Sequence, residues 1–90
     1  MRQIQYNNNN LSLFFFTPFV VVEKKTDHIM LIHTLTEHHV CLRGEEQKLK
    51  KVCEALNQGI IENELIILLS ELENYNTEMM DFLIQEGVIE

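Results

Sequence analysis

The chain has 90 residues, 46% of them hydrophobic, which suits one domain with a single core. Fourteen acidic residues oppose seven basic ones, and the excess lies in residues 45–90, whose eleven acids and three bases should repel polyanions. Two cysteines are too few for a disulfide framework. The apolar stretch 11–22 is too short to span a bilayer and lacks the cleavage site of a secretion signal. We therefore expect a cytoplasmic protein with reduced thiols and no membrane contact.

The first predicted element is a strand that follows a polar lead-in. Residues 1–12 include a run of four asparagines and are predicted to be a flexible lead-in, so the folded domain is predicted for residues 13–90. Aromatic and β-branched residues over 13–22 favour a strand. Pro18 cannot donate a ladder hydrogen bond, so this strand should be at an edge, bulged or broken there.

Two further strands are predicted before the first helix. Residues 28–35 and 39–43 can each place alternate apolar side chains on one face. Because the connections between the three strands are short, we expect an antiparallel meander.

Three helices are predicted after Gly44, where the apolar period changes from two to 3.6. Residues 45–58 form the first, and Gly59 suits its end. Residues 62–72 are apolar around most of a helix circumference, so the second helix should be deeply buried. A third should run from a cap at Asn76 or Thr77 to Glu86 and close at Gly87. The apolar face of the first helix contains Leu49, Val52, Cys53 and Leu56.

The predicted order is therefore βββααα, in an α+β domain. Helices two and three, joined by a short polar loop, resemble a helix-turn-helix pair. A three-stranded antiparallel sheet beside such a pair is a winged helix-turn-helix arrangement, which is the predicted fold class.

Catalysis and metal binding have little support in the residue pattern. His39 and Cys41 would share one face of the third strand, where they could hold a metal or act as base and nucleophile. No second ligand pair has a metal-binding spacing, and neither an orienting group nor an oxyanion hole accompanies them. Solvent-facing histidines and a buried Cys53 are the simpler interpretation. We therefore predict no metal, no cofactor and no catalytic residue.

Nucleic-acid binding is the usual function of a winged helix, but the charges oppose it. The third helix carries Glu78, Asp81 and Glu86 and has neither lysine nor arginine. Proteins that bind DNA depend on basic side chains that contact phosphate. We therefore expect no nucleic-acid partner, and we interpret the lysines of the first helix as a solvated face.

The third helix carries two adjoining apolar stripes. Met79, Phe82 and Leu83 form one, and Met80, Leu83 and Ile84 form the other. Both stripes could be core, or one could line a groove, where methionine adapts to varied partners. The third strand would leave an open sheet edge beside it, to which an extended peptide can add as a new strand.

Four segments carry a resemblance to a known family: Val-Cys-Leu-Arg-Gly at 40–44, Leu-Asn-Gln-Gly at 56–59, the leucine-rich run 65–72, and Phe-Leu-Ile-Gln-Glu-Gly-Val-Ile at 82–89. Over residues 13–90 the chain resembles the RiPP recognition element, the PqqD-like winged helix that binds leader peptides of ribosomally synthesised natural products. The nearest likeness is to the leader-binding domain of ThiF-like partners of azoline-forming cyclodehydratases.

The resemblance implies where a leader peptide would bind. In the family the leader typically adds to the third strand and packs against the third helix. Independently of the resemblance, the charge of that helix leads us to expect that Glu78, Asp81 or Glu86 meets a lysine or arginine of the leader. The implicated strand residues are His39, Val40, Cys41, Leu42 and Arg43, and the implicated helix residues are Met80, Leu83 and Ile84, with Glu78 and Asp81 at the rim.

The predicted function is therefore peptide binding. The domain would hold the leader of a precursor peptide and present it to a modifying enzyme such as a cyclodehydratase, without chemistry of its own. A non-enzymatic interaction or dimerisation module is the alternative, and a DNA-binding regulator is less favoured. The sequence leaves open whether the chain forms a homodimer and whether it is the front of a larger enzyme.

Overall fold

The computed structural model describes residues 3–6 and 9–90, and of residues 3–6 and 9–11 it describes the backbone alone. The protein is α+β, with most strands preceding the helices. The strands are β1 (Gln3–Tyr6), β2 (Asn9–Phe14), β3 (Val20–Lys24), β4 (His28–His33), β5 (His39–Arg43) and β6 (Ile60–Ile61). The helices are α1 (Glu46–Gln58), α2 (Glu62–Ser70) and α3 (Met79–Gln85).

The predicted meander is confirmed as the antiparallel sheet β3–β4–β5, in that order. Of the three alternatives predicted for Pro18, the structure shows a break, because β2 ends at Phe14 and β3 begins at Val20. One face of the meander packs against the helices. Alternate side chains of a strand point to the same face, and the buried residues of β4 and β5 alternate in this way. Its buried residues are Ile29, Leu31, Val40 and Leu42.

A second sheet, in the order β1–β2–β6, was not predicted. Residues 3–6 and 9–12 lie in its strands instead of a flexible lead-in, whereas residues 1, 2, 7 and 8 of the lead-in lie outside the described residues. The physical reason is long-range pairing: Leu13 and Phe14, at the end of β2, pair with the two residues of β6. The other part of β2 pairs with β1. The alternation of polar and apolar residues over 3–6 was the available signal.

The first helix agrees with its predicted pattern. All four residues of the predicted apolar face are buried in α1. The helix ends at Gly59, which has a φ of +97° and donates its N–H to the carbonyl of Ala55 at 2.8 Å. This conformation is accessible to glycine and unfavourable for other residues.

The prediction that the second helix is deeply buried is wrong for much of its surface. Leu65 and Leu69 are fully buried, but Ile66 and Leu68 are only partly buried and Ile67 is 61% exposed. The helix packs on α1, β2 and β6 along one side. A domain of this size has too little material to enclose a helix completely.

The third helix is shorter than predicted and starts from an asparagine turn. The side-chain oxygen of Asn76 accepts a hydrogen bond from the Glu78 N–H at 2.8 Å. Gly87 follows the helix with a φ of +75°, and Val88 and Ile89 then return over the core. No helix in the described part of the chain is long and apolar enough to cross a membrane.

Candidate functional site

The candidate site begins with the outer edge of β5, which is the last strand of its sheet. In an antiparallel pair, alternate residues direct both backbone groups towards the partner strand, and the residues between direct them away. Cys41 and Arg43 direct theirs away from β4, since both bond to the side chain of Asn74. By the same alternation, His39 also presents its backbone N–H and C=O at the outer edge.

The amide of Asn74 covers the C-terminal part of this edge. Its Nδ2 donates to the Cys41 carbonyl at 2.9 Å, and its Oδ1 accepts from the Arg43 N–H at 3.0 Å. The N–H of Glu73 donates to the Arg43 carbonyl at 2.8 Å. The rest of the β5 edge presents the N–H and C=O of His39 and the N–H of Cys41. No strand in the described part of the chain lies beside these three groups.

Helix α3 runs alongside the same edge. The segment that contains it starts at Asn74, beside the C-terminal end of β5. It ends at Glu86, whose Oε1 lies 3.2 Å from Nδ1 of His38, the residue before β5. The segment from Asn74 to Glu86 therefore contacts the chain at both ends of β5. We call the surface between these two contacts the groove.

The flank of α3 that faces this groove carries one aromatic residue between two acids. Glu78, Phe82 and Glu86 are spaced four residues apart, so they lie on one flank of the helix. Glu86 reaches His38, which places this flank on the β5 side. Phe82 is 46% exposed, and it was not among the predicted site residues because the resemblance implicated the adjoining stripe. The position of Glu86 relative to His38 could not be derived from helical spacing.

The predicted helix stripe requires a correction. Met80 is 7% exposed and Leu83 is fully buried, so both belong to the core. Ile84 is 39% exposed, but it lines a cavity of about 350 Å³ on the other flank of α3, together with Phe19 and His33. Asp81 is exposed and lies off the Glu78–Phe82–Glu86 flank. Of the predicted helix residues, only Glu78 lies at the groove.

The predicted strand residues divide into two sets. Val40 and Leu42 have buried side chains and direct their backbone groups to β4, so neither presents a group to the groove. His39, Cys41 and Arg43 present backbone groups at the outer edge, and their side chains lie on the sheet face opposite the core. Strand alternation, which the sequence already contained, explains this division.

The two thiols have different surroundings. Cys41 is partly buried, and Cys53 lies in the core, where burial raises the pKa of its thiol. The two histidines nearest the groove make no metal cluster. Among the described residues, no three His, Cys, Asp or Glu side chains converge as metal ligands would.

Comparisons with known proteins do not assign a family. No family model matches the chain, nor does any curated protein or solved structure.

Proposed function

We propose that the domain is a winged-helix module that binds an extended peptide by strand addition at the outer edge of β5. One observation carries this proposal: the edge strand β5 has open backbone groups at His39 and Cys41, and the segment that contacts the chain at both ends of β5 carries a half-exposed aromatic side chain. Strand addition uses backbone hydrogen bonds for affinity and alternate side chains for selectivity.

The proposed ligand is the leader segment of a ribosomally synthesised precursor peptide, and the proposed partner is a modifying enzyme such as a cyclodehydratase. Phe82 would contact an apolar leader side chain, and Glu78 and Glu86 would attract a lysine or arginine on either side of it. The domain supplies binding alone, because holding the leader raises the effective concentration of the core peptide at the enzyme.

The experiment uses synthetic peptides translated from the short reading frames that flank the gene, titrated calorimetrically into the domain. Phe82→Ala should weaken binding about tenfold, or roughly 1.4 kcal/mol. Ile84→Ala is the matched control, since it removes a similarly exposed apolar side chain from the other flank. Glu78→Lys should weaken binding mainly at low salt, and Asp81→Lys should not.

The binding mode has its own readout. Bound peptide should slow amide hydrogen exchange at His39 and Cys41, because both amides would then be hydrogen-bonded. If none of the peptides binds, or if Phe82→Ala and Ile84→Ala weaken binding equally, the proposed site is wrong.

A second candidate function is self-association. Ile67 is 61% exposed and borders an open apolar cavity of about 500 Å³, whose lining includes Ile60, Ile61 and Leu68. Large exposed apolar surface often marks an interface. Sedimentation equilibrium of the domain and of Ile67→Lys tests this function: a dimer that Ile67→Lys disrupts favours it, and a wild-type monomer rejects it.

A further inference from the structure

The Asn74 side chain imitates a paired strand at the edge of β5. A residue of a parallel strand donates its N–H to one residue of its neighbour and accepts from the N–H two residues further on. The Asn74 amide does the same, since it donates to the Cys41 carbonyl and accepts from the Arg43 N–H. The edge is thus already paired where Asn74 lies.

We propose that Asn74 terminates strand pairing on β5, so that a docked peptide pairs with His39 and the Cys41 N–H and stops before Arg43. This inference rests on the proposed function, and it adds the length and register of the bound segment. The bound peptide has three backbone groups to pair with: the N–H and C=O of His39 and the N–H of Cys41.

The loop that carries Asn74 is anchored independently of its side chain. Glu73 donates its backbone N–H to the Arg43 carbonyl, and Leu72 is 4% exposed in the core. A Cβ added to Gly44 would lie 3.1 Å from Cδ2 of Leu72, so the loop lies close against the end of β5. The loop therefore holds the Asn74 amide beside the strand.

A peptide that displaced the Asn74 amide would gain no net hydrogen bonds. Pairing with the Cys41 carbonyl and the Arg43 N–H would exchange two hydrogen bonds for two others of the same kind, and the displaced amide would return to water. The stretch next to His39 gains hydrogen bonds without losing any within the protein. Affinity should consequently depend on a short pairing stretch and on side-chain contacts with Phe82 and its flanking acids.

The test compares Asn74→Ala with the wild type and with Asn76→Ala. Asn76 is the matched control because its side chain bonds to the Glu78 N–H in the same connection, away from β5. Asn74 is exposed, so the variant should stay folded, and circular dichroism checks this. The probes are the binding peptide identified by calorimetry and two versions of it, each extended by two valines at one end.

In Asn74→Ala, the Arg43 amide of the free protein should exchange several-fold faster, and bound peptide should protect it. One of the two extended peptides should bind this variant about fivefold more tightly than the original peptide does, because it gains a net hydrogen bond. The wild type and Asn76→Ala should bind all three peptides equally.

The outcomes separate the two proposals. If peptide protects His39 in every protein, but neither extension improves binding to Asn74→Ala, peptide binding stands and the role of Asn74 is refuted. An extension that tightens binding to the wild type equally also refutes that role. If peptide protects neither His39 nor Cys41 in the wild type, strand addition fails, and the inference fails with it.

Discussion

Met80 and Ile84 lie about one turn apart on α3, yet their surroundings differ sharply. Met80 is 7% exposed and packs in the core, whereas Ile84 is 39% exposed beside a cavity. A charged substitution at Met80 would consequently disturb folding and binding together. The residue pattern placed both in one stripe, because helical spacing does not state which flank meets the sheet.

The first prediction compares truncations of these two residues. Met80→Ala should lower the free energy of unfolding by about 2–4 kcal/mol, because it leaves a cavity in the core. Ile84→Ala should lower it by less than about 1 kcal/mol, since much of that side chain is already in water. Urea denaturation followed by circular dichroism measures both, and equal losses would contradict the burial difference.

A second residue-scale prediction concerns a buried hydroxyl. Thr17 is 8% exposed, and its Oγ1 donates to the Gly87 carbonyl at 2.9 Å. Thr17→Val keeps the shape but leaves that carbonyl without its partner, so it should cost about 1–2 kcal/mol of stability.

Thr34→Val is the control for this hydroxyl. Thr34 makes the same kind of bond, to the Phe19 carbonyl at 2.9 Å, but it is exposed. Water can replace the lost donor there, so we expect a loss below about 0.5 kcal/mol. A larger loss for Thr34→Val than for Thr17→Val would mean that burial does not determine the cost of the missing bond.

At the scale of elements, the junction between α1 and β6 depends on Gly59. Its φ is +97°, and an added Cβ would lie 2.6 Å from the Phe15 ring. Gly59→Ala should therefore cost more than about 2 kcal/mol from backbone strain and overlap. The comparison is Gly44→Ala, whose nearest neighbour would be the flexible tip of Leu72 at 3.1 Å. Thermal unfolding of both variants tests this order, and a more stable Gly59→Ala would refute it.

Elements with strong local periodicity could be predicted, and those defined by distant pairing could not. α1 follows from the spacing of Leu49, Val52, Cys53 and Leu56, all of which are buried. β6 has two residues and exists because it pairs with the end of β2, so no local pattern predicts it. The neighbouring helix α2 was expected to be deeply buried, but Ile67 is exposed. The prediction failed because local hydrophobicity does not tell how much protein surrounds a helix.

At the scale of the whole molecule, charge separates two regions. Lys24, Lys25 and Lys50 border a cavity of about 320 Å³ between the meander and α1. Glu78, Asp81 and Glu86 lie along α3, in a chain whose formal charge is −7. The surface that the proposed function uses is therefore the acidic one, which favours basic peptides and disfavours phosphate backbones.

The corresponding prediction is that the intact domain does not bind duplex DNA at physiological salt. Its third helix carries acidic side chains and neither lysine nor arginine, whereas contacts with phosphate require basic side chains. Fluorescence anisotropy with a short labelled duplex measures this, with a basic winged-helix domain as the positive control. Micromolar binding that weakens steeply with added salt would contradict the prediction.

Four features could be predicted from the sequence: the α+β class, the antiparallel meander, the buried face of α1 and the acidity of α3. The disruption of the strand at Pro18, just before the meander, could be predicted as well. Each depends on local spacing, composition or turn chemistry, which a short window of sequence contains. Only the folded structure shows that Phe82 rather than Met80 is exposed, that Asn74 bonds to strand residues 31 and 33 positions away, and that residues 3–6 have a strand partner. These features arise when distant segments meet, and the energies that fix them depend on burial and pairing across the fold.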